Sequence, residues 1–154
     1  MSKKPAIAIV TGGREYTDLA CINLAFDGLV ARTSPSATTL HHGDCQGADR
    51  LAAAQATERG FLVEGHPPKW KVHGKAAGPI RNKELVDLHP DYVLIFHDNL
   101  ISSKGTKNCV QLLLKQIKRR PLYKPKLWMN GKPTSTVELT RLLTTKKRKR
   151  GEGR

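Results

Sequence analysis

The sequence has few of the features that disulfide frameworks, zinc ribbons or membrane anchors need. Its three cysteines, Cys21, Cys45 and Cys109, are far apart and form no C-x-x-C pair, so neither a disulfide framework nor a zinc ribbon is indicated. Free thiols are typical of a reducing compartment. No apolar run approaches the roughly 20 residues of a membrane span, and residues 6–10 are too short for a signal-peptide core. We therefore expect a soluble cytoplasmic protein without a membrane partner.

Acidic residues are scarce in the last quarter of the chain. Residues 115–154 carry 14 Lys/Arg and two Asp/Glu, whereas residues 1–114 carry 13 and 11. The net charge of +14 is therefore mainly a property of the C-terminal region. The length of 154 residues fits one domain, which we place at residues 1–145. Residues 146–154 contain no apolar residue and are predicted to be a disordered basic tail.

Apolar runs alternate with helical patterns along residues 6–145. The runs at 6–10, 38–42, 61–63 and 92–96 predict four strands, and residues 122–129 a fifth. Helical patterns fill the intervals at about 17–33, 47–59, 79–89 and from 105, and a capping box at Ser135 and Glu138 predicts a last helix. This alternation predicts an α/β fold with a mostly parallel sheet and helices on both faces.

Ligands of such sheets bind beyond the carboxyl ends of the strands, and the loops there share one composition. Each contains glycine, which lets backbone N–H groups approach a ligand, and most add a cation or a hydroxyl. A single glycine turn would mean little, but four on one rim predict a phosphate-binding site. The candidate residues are Gly12, Gly13, Arg14, Gly43, Asp44, Gly47, Asp49, Lys75, Arg81, Asn82, Gly105 and Thr106.

The two acids of the second loop have alternative interpretations. Asp44 and Asp49 are candidates for a ribose hydroxyl or for acid–base chemistry. Equally, Asp44 is an ordinary turn residue, and Asp49 a first-turn acid favoured by the helix dipole. Cys45 is a candidate nucleophile, but no base is identifiable by spacing, so packing or a place in the ligand wall is favoured.

Aromatic and metal-binding interpretations are weaker. Trp70, with His73, is a candidate to stack on a base, or it anchors its loop. The composition of residues 41–45, His-His-Gly-Asp-Cys, resembles a metal cluster, but neighbouring strand residues point to opposite faces. The sequence therefore predicts no metal site and no cofactor.

The C-terminal tail is a separate signal. It contains five adjacent cations, Lys146, Lys147, Arg148, Lys149 and Arg150. Such a run can contact nucleic-acid phosphates without sequence preference. The alternatives are an import-like sequence or a solubilising terminus.

The loop motifs resemble those of the YspA-like branch of the SLOG superfamily, many of whose members are bacterial or phage-encoded. The motifs are Val-Thr-Gly-Gly-Arg at 10–14, His-Gly-Asp-Cys-Gln-Gly-Ala-Asp at 42–49, Gly-Lys-Ala-Ala-Gly-Pro-Ile-Arg-Asn at 74–82 and Gly-Thr at 105–106, within about residues 6–120. The resemblance implies a Rossmann-like three-layer sandwich and a nucleotide or nucleotide-derivative ligand. It also leaves a homodimer open.

The superfamily includes the lonely-guy phosphoribohydrolases and the DNA-binding protein DprA. The resemblance therefore implies one of three alternative functions. The first is binding or sensing of a nucleotide derivative. The second is hydrolysis of an N-glycosidic bond, with Arg81 and Asp44 as catalytic candidates. The lonely-guy turn carries Pro-Gly-Gly-x-Gly-Thr and then a glutamate, whereas residues 102–108 read Ser-Ser-Lys-Gly-Thr-Lys-Asn, so binding is favoured over turnover. The third is DprA-like nucleic-acid binding.

Overall fold

The computed structural model describes residues 5–151, of which residues 145–151 are described by their backbone alone. Six strands form one sheet in the order β3-β2-β1-β4-β5-β6. The strands are β1 (Ala6–Gly12), β2 (Thr38–His42), β3 (Leu62–Gly65), β4 (Tyr92–Phe96), β5 (Lys126–Met129) and β6 (Lys132–Thr134). The helices are α1 (Leu19–Arg32), α2 (Ala48–Glu58), α3 (Trp70–His73), α4 (Ala77–Val86), α5 (Gly105–Arg119) and α6 (Thr136–Gly151).

The first five strands are parallel, and β6 pairs antiparallel with β5. Apolar side chains alternate between the two faces of the sheet. One face packs Val10, Leu40 and Phe96 against α1 and α2, and the other packs Ile9 and Ile95 against α4, α5 and α6. These layers confirm the α/β, Rossmann-like three-layer sandwich with a mostly parallel sheet.

Strand order reverses between β1 and β4, which lie side by side although β2 and β3 come between them in the chain. The register pairs Thr11 with Ile95 and Gly12 with Phe96. The chains leaving β1 and β4 therefore diverge to opposite sides of the sheet and open a crevice at their carboxyl ends. This crevice is where the candidate loops meet.

Several elements differ from the sequence prediction. The segment predicted as a loop before residue 78 contains α3, and α4 begins at Ala77, so Pro79 lies in its first turn, where a missing N–H costs nothing. The spacing of Ile22, Phe26, Leu29 and Val30 predicts one buried face of α1; the first three are buried, whereas Val30 is 37% exposed. Leu122, predicted to start a strand, is 97% exposed, and β5 begins only at Lys126.

The C-terminal helix α6 begins as the capping signal predicts, with the Glu138 N–H donating to Ser135 Oγ at 3.1 Å. Its backbone continues through Gly151. The sequence predicts disorder over 146–154, whereas the backbone is helical as far as Gly151; the side chains of residues 145–151 and all of residues 152–154 lie outside the described residues. Within residues 5–151, no helix combines the length and apolarity that crossing a membrane requires.

Candidate functional site

A cavity of about 570 Å³ occupies the crevice at the carboxyl ends of β1 and β4. Ten of the twelve predicted ligand-binding residues line it: Gly12, Gly13, Arg14, Gly43, Asp49, Lys75, Arg81, Asn82, Gly105 and Thr106. They come from four segments, one after each of β1, β2, β3 and β4, that comprise strand ends, loops and the first turns of helices, as the parallel sheet predicts. The volume is in the range of small-molecule sites.

The charged residues of the cavity wall are mostly cations. Arg14, Lys75, Arg81 and Lys104 line it, and the single carboxylate among the lining residues is Asp49. Arg14, Lys75 and Lys104 are exposed, so they are free to move toward a ligand. A cavity with this charge favours an anion.

Arg81 is the buried cation of the site, at 9% exposure. Its Nη1 donates to the carbonyl of Gly43 and to that of His66 (3.1 Å), and its Nε donates to Asn82 Oδ1 (3.1 Å). Nη2 has no oxygen acceptor among residues 5–144 and lies 3.9 Å from Cys45 Sγ. One end of the guanidinium therefore keeps donor capacity on the cavity side.

The charge of Arg81 has no direct counter-ion. No carboxylate in the described part of the chain lies within 4.0 Å of its guanidinium, although the charge acts at longer range on Asp49. Buried charges are normally paired, because moving a charge out of water without giving it a partner costs free energy. An anion in the cavity would supply the missing partner.

The N-terminus of α5 points its first turn at the same cavity. Ser103, Lys104, Gly105, Thr106 and Asn108 line the wall there. Ser103 Oγ accepts the Lys107 N–H at 2.9 Å, whereas the N–H groups of Gly105 and Thr106 have no protein acceptor in the described chain. Unpaired N–H groups at a helix N-terminus form an anion site.

Asn82 connects α4 to this helix end. Its Nδ2 donates to the Gly105 carbonyl (3.2 Å) and to Asn108 Oδ1 (2.9 Å), while its Oδ1 accepts from Arg81. Asn82 therefore fixes the guanidinium and the helix N-terminus relative to each other.

Asp49, in the first turn of α2, is 5% exposed. Its Oδ2 accepts the N–H groups of Gly43 (3.0 Å) and Cys45 (3.3 Å), which shapes the loop after β2. Burial raises the pKa of this carboxyl to about 6, because the hydrogen bonds and Arg81 only partly offset desolvation. Asp49 therefore holds the loop and can also exchange a proton near neutral pH.

Two predicted residues lie outside the cavity. Asp44 has a positive φ of 58°, and its carboxylate is exposed 3.9 Å from Arg50 beside a smaller pocket. Gly47 lies behind the wall, with a φ of 80°, where a Cβ would meet the carbonyls of Gly13 and Arg14. Gly47 therefore lets two loops pack closely against each other, and it does not line the cavity as a ligand-binding residue would.

His97 and Asn130 were not among the predicted site residues. His97 lines the cavity. The side chain of Asn130 holds the His97 backbone, because its Oδ1 accepts the His97 N–H (3.0 Å) and its Nδ2 donates to the His97 carbonyl (3.0 Å). Asn130 and Gly131, both at positive φ, form the β5–β6 turn. The Asn-Gly pair is a strong hairpin signal in sequence and would have located β6. Trp70, considered from the sequence as a stacking residue, lines the cavity and is 51% exposed.

Comparison with known proteins identifies a family, and the family match includes the first two loops of the site. The sequence model of the YspA, cpYpsA-related SLOG family matches residues 7–73. The "Gene 61 protein" of Mycobacterium phage D29 is 35% identical over 108 residues, covering 67% of this chain and 84% of the relative. These matches confirm the resemblance drawn from the loop motifs: the chain belongs to the YspA, cpYpsA-related SLOG family, a family of nucleotide-related Rossmann-like domains.

Proposed function

We propose that this protein binds a nucleotide or nucleotide derivative in the cavity between β1 and β4. The observation that carries the proposal is the buried guanidinium of Arg81, which lines the cavity without an ion-pair partner in the described chain. A phosphate is the counter-ion that fits, because arginine donates to its oxygens in a planar fork.

The remaining walls accommodate the rest of such a ligand. The free N–H groups of Gly105 and Thr106 approach the phosphate from α5. Exposed Lys104, Lys75 and Arg14 add positive charge around it. Trp70 gives an aromatic face on which a base stacks. Family membership supports this class of ligand.

Isothermal titration of the full-length protein with a nucleoside and its mono- and diphosphates tests the proposal. We expect the phosphorylated ligands to bind and the nucleoside to bind at least tenfold more weakly. Arg81→Gln should abolish the preference, and Arg119→Ala, an exposed arginine at the other end of α5, should leave it unchanged. Equal affinity for nucleoside and nucleotides, or no binding of any, would contradict the proposal.

A second candidate is N-glycosidic hydrolysis of the bound nucleotide. Asp49 favours it, because a cavity carboxyl with a pKa of about 6 is suited to general acid–base work. We assign this role to Asp49 rather than Asp44, because Asp49 lines the cavity and Asp44 lies outside it. Release of free base from a nucleoside monophosphate, measured by chromatography, should be lost in Asp49→Asn and kept in Asp44→Asn. The absence of any release by the wild-type protein would eliminate this candidate.

The third, DprA-like function rests on the C-terminal tail, where the side chains of residues 145–151 and all of residues 152–154 lie outside the described part of the chain. Nucleic-acid contact through Lys146–Arg150 remains a prediction from charge.

A further inference from the structure

Two histidines and a glutamate meet at the edge of the sheet, outside the residues that line the cavity. His41 on β2 is paired in register with Glu64 on β3. His66 follows two residues after Glu64, and its N–H continues the ladder to the His42 carbonyl at 2.8 Å. Because side chains alternate along a strand, His41, Glu64 and His66 share one face, and His42 lies on the other.

The distances among the three groups are short. His41 Nδ1 lies 2.9 Å from His66 Nε2 and 3.5 Å from Glu64 Oε2. All three potential ligand atoms lie within 4.8 Å of one another. In a tetrahedral zinc site, bond lengths of about 2.0–2.1 Å place neighbouring ligand atoms about 3.3 Å apart. The two distances to His41 are already close to this value, and the separation between His66 and Glu64, at most 4.8 Å, closes with a shift of at most about 1.5 Å shared between these two side chains.

We propose that His41, Glu64 and His66 bind one divalent transition ion of the Zn²⁺ type, with water in the remaining coordination position. Two imidazoles and a carboxylate are a ligand set that zinc takes in proteins with an open site. The positions fit this use: His41 is nearly buried and holds the inner side, while Glu64 is exposed on the edge strand β3 and leaves an approach from solvent.

The sequence predicts no metal site because it brings together only residues 41–45, whose side chains diverge. Pairing of β2 with β3 instead supplies ligands separated by more than 20 positions. The cluster also adjoins the cavity, since Arg81 donates to the His66 carbonyl at 3.1 Å. Metal binding needs no nucleotide, so its test is independent of the proposed function.

The experiment titrates untagged, metal-free full-length protein with Zn²⁺ by calorimetry, and with Co²⁺ by visible absorption. We expect one ion per chain and a d–d spectrum of a low-coordinate Co²⁺ site. At about 100 times the dissociation constant, Zn²⁺ should raise the melting temperature by roughly 5–10 °C.

Variants decide whether the ion occupies this cluster. His66→Ala and Glu64→Gln, both away from the buried core, should each weaken Zn²⁺ at least tenfold and remove the Co²⁺ spectrum. His73→Ala, an exposed histidine on α3, and Cys45→Ser are controls that should bind like wild type. No Zn²⁺ binding by the wild type, or unchanged affinity in both ligand variants, would overturn the proposal and leave an imidazole pair joined by a hydrogen bond.

Discussion

Two of the helices that begin at the cavity, α2 and α5, differ at their N-termini. The first turn of α2 contains Asp49, whose carboxylate is buried and accepts two N–H groups of the preceding loop. The first turn of α5 has no acid, and instead Lys104 precedes the helix and Lys107 lies within it. Because the N-terminus is the positive end of the helix dipole, lysines there are unfavourable without an anion.

The two helix N-termini therefore differ in where their anion comes from. At α2 the protein supplies its own anion and uses it to hold the loop after β2. At α5 the N–H groups of Gly105 and Thr106 and the nearby cations remain without one. The α2 end should therefore govern folding stability, and the α5 end ligand affinity.

The largest effect on stability is expected from Gly47→Ala, the substitution at the N-terminus of α2. The φ of 80° is strained for alanine, and the new Cβ would meet the carbonyls of Gly13 and Arg14. We expect the free energy of unfolding in urea to fall by roughly 3–5 kcal/mol. Gly60→Ala, at the other end of α2, has a φ of 86° but open space around the Cβ and should cost only about 1 kcal/mol. Equal losses would show that loop packing at Gly47 contributes nothing.

The next effect concerns the acid of α2. Burial raises the pKa of Asp49 from 3.8 to about 6, so the folded state holds a proton that the unfolded state releases between these values. Stability should therefore fall as pH rises through this window, by about 3 kcal/mol in total, and stay lower above it. Asp49→Asn keeps an acceptor but should lose this slope in denaturation between pH 4 and 6.

Asp44→Asn is the matched control for this pH dependence, since it changes an exposed acid of the same loop and leaves Asp49 intact. It should keep the wild-type profile. A falling slope that persists in Asp49→Asn would show that Asp49 is not its source. The histidines of β2 would give the opposite slope, because burial lowers the pKa of His41 and of His42.

The strands and the rim of the site could be predicted because both follow from local pattern. Residues 92–96 are a continuous apolar run and residues 38–40 are Thr-Thr-Leu before two histidines, and the predicted bounds of both segments match β4 and β2. Once these strands are parallel, the loops after them must share one edge. This geometry alone brings Gly12, Arg81 and Thr106 to a common cavity.

What could not be predicted depends on side-chain direction and on pairing between distant segments. The left-handed backbone at Asp44 turns its carboxylate away from the cavity, and a turn sequence does not reveal that direction. The bonds of Arg81 to the carbonyls of Gly43 and His66 join α4 to the loops after β2 and β3. His41 meets Glu64 only through the β2–β3 register.

A smaller effect is expected at the α5 end from Lys104→Ala. This lysine lines the cavity beside the free N–H groups, so its removal should weaken a nucleoside monophosphate about tenfold at low salt, and less at high salt because exposed charges are screened. Lys118→Ala, an exposed lysine in the last turn of the same helix, should leave affinity unchanged. Calorimetry of both variants compares the two ends of α5, and matching losses would show a general charge effect rather than a local one.

The smallest effect at the cavity is expected from deleting residues 146–154. The residues that line the cavity all lie within the first 108 residues, so the affinity for the proposed nucleotide and the melting temperature should stay near wild type. Single-stranded DNA binding, measured by fluorescence anisotropy over a salt series, should instead lose most of its salt dependence, because each lost phosphate contact lowers the slope by about 0.7. An unchanged salt dependence of DNA binding in the truncated protein would assign the DNA contact to the cations of the cavity rim. The tail would then have no separate role in binding nucleic acid.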